Sequence, residues 1–165
     1  MNFLKKQFDA LIYLFIGPFT ILYITPLFFR KLESNFFILP KYDLLVIIGV
    51  IFMNFGAVLA IICSLMMFIN KYGSAIPFVK PTKLVNMGPY KLVRHPMMWA
   101  LFFVLIGESL AYSSLFTVGW LVIWARFSSI YINNYEEPFL IRHFGQEYID
   151  YTKKVPRWIP FTKPN

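Results

Sequence analysis

The chain has 165 residues, 58% of them hydrophobic and 20% aromatic, with a formal net charge of +8 and a mean hydropathy of +0.60. That composition excludes an ordinary soluble domain of this length and predicts one all-α membrane domain over residues 1–165, with about four transmembrane helices and a C-terminal amphipathic helix at the interface. The cations flank apolar runs and form no separate basic domain, so nucleic acid is not an expected partner.

Crossing the hydrocarbon core takes about 20 apolar residues as helix. Residues 10–29 supply a first candidate span, with Gly17-Pro18 and Pro26 as expected kinks. Lys5-Lys6 ahead of it resembles a secretory leader, but no small-residue cleavage site comes after the long run, so a retained anchor is expected. Residues 44–69 form an uncharged second span. Cys63 lies within it, expected as a small core residue and unable to form an internal disulfide. Gly49 and Gly56 in the same span offer a small-residue seam that could serve a close-packed dimer, although the sequence does not define the oligomeric state. Spans 96–112, interrupted by Glu108, and 115–135, carrying Arg126, are joined by so short a link that they must form an antiparallel hairpin.

The tail, residues 136–165, places Leu140, Phe144, Tyr148 and Tyr151 at helical spacing among polar residues, the pattern of an amphipathic helix on the membrane surface or capping the bundle. Gly145 weakens it, Pro156 and Pro160 stop it, and Trp158 is placed like an interfacial anchor. Lys and Arg number two before the first span, three in the 30–43 loop, five in the 70–95 loop and five in the tail. The positive-inside rule then predicts a multi-pass protein with both termini, the 70–95 loop and the tail on the cytoplasmic side, where a basic skirt attracts anionic lipids.

Two polar clusters therefore reach the same face. One runs from Leu84 and Val85 through Gly88-Pro89-Tyr90 to Arg94-His95-Pro96, with Met98 just beyond. The other is Glu136-Glu137. Pro96 suits the first turn of a helix and His95 can cap it, so the tripeptide alone has a purely structural reading. Adjacent carboxylates at the C-terminal end of a span gain nothing from the helix dipole, so they call either for cations from the 70–95 loop or for a ligand with an ammonium and hydroxyls. Arg126 could reach an anionic group from within the bundle or pair with a neighbouring helix; its depth differs from that of Glu108 by roughly 10 Å, which makes a direct bridge doubtful. No Gly-rich nucleotide loop or nucleophile elbow is present, and two His with one Cys give no expected metal site.

Gly88-Pro89-Tyr90, Arg94-His95-Pro96, Glu136-Glu137, Phe144-Gly145-Gln146-Glu147-Tyr148 with Tyr151, and Val155-Pro156-Arg157 occur in that order. Together they resemble the isoprenylcysteine carboxyl methyltransferase and phospholipid N-methyltransferase superfamily of integral membrane enzymes, over roughly the C-terminal half. The resemblance implies S-adenosylmethionine as methyl donor. It also implies donor binding by the Leu84–Met98 region and the Glu pair, and a lipidic or hydrophobic acceptor entering from the bilayer. By the same resemblance Asn54-Phe55-Gly56 matches a Gly-x-Gly that contacts the donor, with Asn replacing the first Gly, while Met98 and Ala100 replace a family Tyr and Gly. His95, Arg94 and Arg126 are the candidate catalytic groups: His95, or a Glu of the pair, as base for an amine acceptor, either arginine to position a carboxylate. A sterol-reductase-like oxidoreductase and a non-catalytic protein keeping the fold are the alternatives.

Overall fold

The computed structural model describes residues 17–36, 39–69 and 83–162, and every described element is helical. The N-terminal part of the first expected span, residues 10–16, lies outside the described residues, as do Lys5, Lys6, Lys71, Lys80 and Lys163.

Helix α1, Thr25–Glu33, continues from a π-turn over Thr20–Ile24. Helix α2 is Asp43–Ile69, whose 27 residues give it a length of about 40 Å. A 3₁₀ turn, Gly88–Lys91, leads to helix α3, Pro96–Tyr112, and then to helix α4, Leu115–Tyr131. A second π-turn, Ile132–Glu136, runs straight into helix α5, Glu137–Phe144, and helix α6, Gln146–Thr152, comes after Gly145.

Each π-turn ends two residues before a proline, Pro26 in one case and Pro138 in the other. A proline offers no N–H to the carbonyl four residues back, and its ring crowds that carbonyl. The carbonyls concerned, those of Leu22 and Asn134, both lie inside the widened turn. At Pro26, where the sequence suggested a kink, the helix carries this widened turn, and Pro138 lets α4 continue into α5 as one run from Leu115 to Phe144. The second widened turn also rotates α5 relative to α4 by about one residue, which sets the direction of Glu136 and Glu137.

Among the described residues, two helices are long and apolar enough to cross a membrane, Asp43–Met67 and Leu115–Phe144; Pro96–Tyr112 is apolar but shorter. Leu44, Ile47, Ile51, Phe55, Val58 and Ile61 stand exposed along α2, a surface suited to lipid. The protein is therefore a helical membrane protein.

The hairpin expected between α3 and α4 is present. Ser113 turns the chain in the left-handed region, and the Ser114 hydroxyl caps α4 by accepting from the Thr117 amide at 3.1 Å. Small residues of α2 serve close contacts within the chain. A Cβ built on Gly49 would stand 2.5 Å from the Gly107 carbonyl oxygen, and one on Gly56 would stand 2.6 Å from that of Ala100. These two pairs set α2 and α3 antiparallel at near backbone contact, and they explain why only a small residue fits at Ala100.

At the end away from residues 88–95, Glu33 is buried and accepts hydrogen bonds from the Ser114 hydroxyl and, at 2.8 Å, from the Leu115 amide. It thereby ties α1 to the α3–α4 turn. Arg30 stacks on the Tyr112 ring at 3.5 Å in the same region.

Candidate functional site

The chain reaches the site through Gly88, whose φ of +55° strains any other residue, and a Cβ built there would stand 2.7 Å from Met66 Sδ. The adjoining 3₁₀ turn carries Tyr90, whose hydroxyl donates to Met67 Sδ at 3.7 Å and whose carbonyl accepts from the Tyr151 hydroxyl at 2.7 Å. Arg94 and His95 then arrive at the N-terminus of α3, with Pro96 as its first residue, and all three are buried.

Arg94 is held from both sides. Its guanidinium donates to Glu137 Oε1 at 2.8 Å and to the Val155 carbonyl at 3.0 Å, while its backbone amide donates to the Pro156 carbonyl at 3.0 Å. Arg157 donates to Glu137 Oε1 at 3.0 Å and also to Oε2, with its remaining nitrogen on the Asn133 side-chain carbonyl. His95 lies between the carboxylates, Nε2 at 3.4 Å from Glu137 and Nδ1 at 3.5 Å from Glu136.

Glu137 therefore meets two guanidinium groups and an imidazole, and this environment favours its ionised form. Glu136 keeps 32% of its side chain exposed beside His95. Burial drives His95 toward the neutral form, but hydrogen bonds to Glu136 and Glu137 outweigh that, and its pKa lies above the ordinary 6.5. A protonated imidazole donates from both nitrogens, as the two carboxylates require.

The tail closes over this cluster. The amphipathic segment breaks at Gly145, where φ is +57°, and its apolar face packs inward: Tyr148, Tyr151 and Val155 form a core against Leu84, Leu140 and Phe144. Trp158 packs beside the cluster. Its carbonyl accepts from Trp99 Nε1 at 2.7 Å, and its ring lies 6.0 Å from the rings of His95 and Phe102. Tyr148 is 1% exposed, and its buried hydroxyl has no hydrogen-bond partner among the described residues.

Of the residues singled out in the sequence, Arg94, His95, Glu136 and Glu137 come together in one cluster. Leu84 packs against the tail core on its flank, Val85 is buried beside Leu84 in sequence, Gly88 and Tyr90 form the approach, and Met98 stands in the first turn of α3, its amide donating to the His95 carbonyl at 3.2 Å. Asn54, Phe55 and Gly56 lie apart on α2. Gly56 meets Ala100, about 6 Å along α3 from Pro96, while Asn54 donates to the Val50 carbonyl and Phe55 is exposed with its ring edge on Phe103. Asn54 and Gly56 border an apolar groove of about 420 Å³ between the first π-turn, α2 and α3, lined by Leu22, Met53, Ala57, Ala100, Leu101 and Val104 among others. Arg126 does not point into the bundle; it is exposed on α4 and joins no ion pair among the described residues. Glu108 is buried in α3, away from the cluster. The residues not singled out beforehand as site groups are Arg157 and Tyr148, which the sequence marked as members of the Val-Pro-Arg and Phe-Gly-x-x-Tyr elements, as a tail cation and as part of the apolar face of the tail helix.

Fold and cluster define a helical membrane protein with a closed charged centre at one face of the bundle. Residues 44–147 match the phospholipid methyltransferase family, and the chain belongs to that family. It is 35% identical over 128 residues to the protein-S-isoprenylcysteine O-methyltransferase of Xenopus laevis, covering 76% of this chain and 44% of that protein. It is 38% identical over 85 residues to a probable protein-S-isoprenylcysteine O-methyltransferase of Oryza sativa subsp. indica, covering 48% and 41%. With protein-S-isoprenylcysteine O-methyltransferase B of Arabidopsis thaliana the identity is 31% over 80 residues, covering 48% and 40%. The chain thus spans less than half the length of these relatives.

Proposed function

We propose that the protein is a membrane methyltransferase that uses S-adenosylmethionine and methylates the carboxylate of an isoprenylcysteine-type lipid. The observation that carries the choice of acceptor is His95 held between Glu136 and Glu137. Carboxylates beside both ring nitrogens favour the imidazolium, which is no base, and a carboxylate acceptor needs no base, whereas an ammonium acceptor does. The names of the relatives point the same way.

The residues present fit such a donor. Glu136 offers a partly exposed carboxylate for an ammonium or ribose hydroxyls, and Tyr148 a buried hydroxyl without a partner. When bound, the donor supplies an electrophilic methyl group on a sulfonium. The protein's own contribution is positioning and exclusion of water. Glu136 holds the polar end, while Arg94, His95, Glu137 and Arg157 form the rigid frame beneath it. The apolar groove bordered by Gly56 and Ala100 takes the lipid chain from the bilayer. Four passes, with both termini and the cluster cytoplasmic, are the topology that the positive-inside count supports.

Calorimetric titration of detergent-purified protein with S-adenosylhomocysteine tests the donor site, and methyl transfer to N-acetyl-S-farnesylcysteine beside phosphatidylethanolamine tests the acceptor. Micromolar binding and methylation of the farnesylcysteine alone are expected. No binding by folded protein sinks the methyltransferase reading and brings forward a nicotinamide-dependent or non-catalytic role. Methylation of the amine alone overturns the choice of acceptor.

A further inference from the structure

Tyr148 is the largest fully buried side chain among the described residues, yet its hydroxyl is unpaired. Burying a hydroxyl without a partner is costly, and most buried polar atoms avoid it. The position is not loosely built. Tyr148 packs beside Tyr151 at 5.9 Å between ring centroids, Tyr151 is fixed by its bond to the Tyr90 carbonyl, and Val155 closes the same core. Val155 of this same core accepts from Arg94 Nε through its carbonyl at 3.0 Å, so the phenol belongs to the neighbourhood of the cluster and not to a remote part of the core.

We infer that the Tyr148 hydroxyl is a donor-binding group, poised to donate a hydrogen bond to the carboxylate of the amino-acid end of the methyl donor. The inference rests on the methyltransferase reading proposed above. An α-amino acid end carries both charges, and the two kinds of group needed are present: Glu136, a carboxylate with exposed surface, for the ammonium, and Tyr148, an O–H, for the carboxylate. Nearby arginines cannot readily serve instead, because Arg94 is committed to Glu137 and the Val155 carbonyl, and Arg157 to Glu137 and Asn133. Burial pushes the phenol pKa up, so the group stays an O–H at neutral pH. A hydroxyl left unpaired in the empty protein and paired in the complex is a stability sacrifice tied to binding.

Tyr148→Phe separates this from a packing role, because it removes the oxygen and keeps the ring. Wild type and variant are titrated with S-adenosylhomocysteine and with its analogue lacking the carboxylate, and the thermal midpoint of each empty protein is recorded. The variant is expected to bind S-adenosylhomocysteine about tenfold more weakly or worse, to bind the decarboxylated analogue as wild type does, and to melt no lower than wild type. Equal weakening toward both ligands, or no weakening toward either, overturns the assignment while leaving the donor reading intact. A lowered melting point with unchanged binding also overturns it, since the hydroxyl would then be paired in the empty protein. Failure of wild type to bind either ligand removes the donor reading itself.

Discussion

Glu137 accepts hydrogen bonds from Arg94 and Arg157 and faces His95, all within a few ångströms, so replacing it by Gln leaves two cations at the end of a membrane helix without their counter-charge. Removing one partner of a buried ionic group costs about 3–5 kcal/mol, and Glu137→Gln is expected to lower the thermal midpoint sharply and to lose donor binding as a consequence. Glu136→Gln removes a partly exposed group and should leave the melting point within a few degrees of wild type, yet weaken S-adenosylhomocysteine at least tenfold. Parallel melting and calorimetry on the two variants check the division; equal destabilisation by both would refute it. His95 adds a pH dependence with a definite sign. Its folded pKa is raised, so its contribution is fully present below its unfolded value near 6.5 and is lost as pH rises through the higher folded value. Melting midpoints should therefore fall on the alkaline side of that window, and His95→Gln should flatten the curve. The sequence brought these four residues to one face because each is costly in a membrane unless partnered. It could not divide the labour between adjacent glutamates, because that depends on Arg157, a residue twenty positions further on that returns only when the tail folds back.

Among the elements, the seam between α2 and α3 is the least tolerant of change. Gly56→Leu drives carbon into the Ala100 carbonyl and the Val104 side chain, with no flexible neighbour to yield at the backbone. A loss of at least about 2 kcal/mol is expected, read as a lower melting midpoint in detergent, whereas the same change at Gly17, where nothing lies within 4 Å, should pass almost unnoticed. The long apolar runs made the helices legible, and the short link made the α3–α4 hairpin legible. The partner of the glycine seam was not, because one sequence shows small residues without showing which helix approaches them. The π-turns were equally hidden: Pro26 and Pro138 announce a disturbance, but only the surrounding packing decides between a kink and a widened turn.

The whole molecule has two ends of opposite design. At the cluster end, Arg94, His95, Glu136, Glu137 and Arg157 meet from separate segments under the folded-back tail; at the other end, Glu33 joins α1 to the turn of the hairpin. Glu33→Leu removes the acceptor for the Ser114 hydroxyl and the Leu115 amide, and a loss of about 1–3 kcal/mol is expected with S-adenosylhomocysteine affinity unchanged. A matching loss of affinity would show that the two ends are coupled. Nothing in the sequence around Glu33 marks it out. It reads as one charge in a polar loop, and its partners lie 81 and 82 residues away.

That separation bears on how the protein is made. Glu33 is synthesised long before the hydroxyl and amide that will receive it in the interior, and until they exist its carboxylate is best kept in water. Helix α1 cannot take its final seat until the α3–α4 turn has been made and presented to it. The order of translation is therefore not the order of docking: α1 is made before that hairpin and is fastened by one of the later steps of assembly.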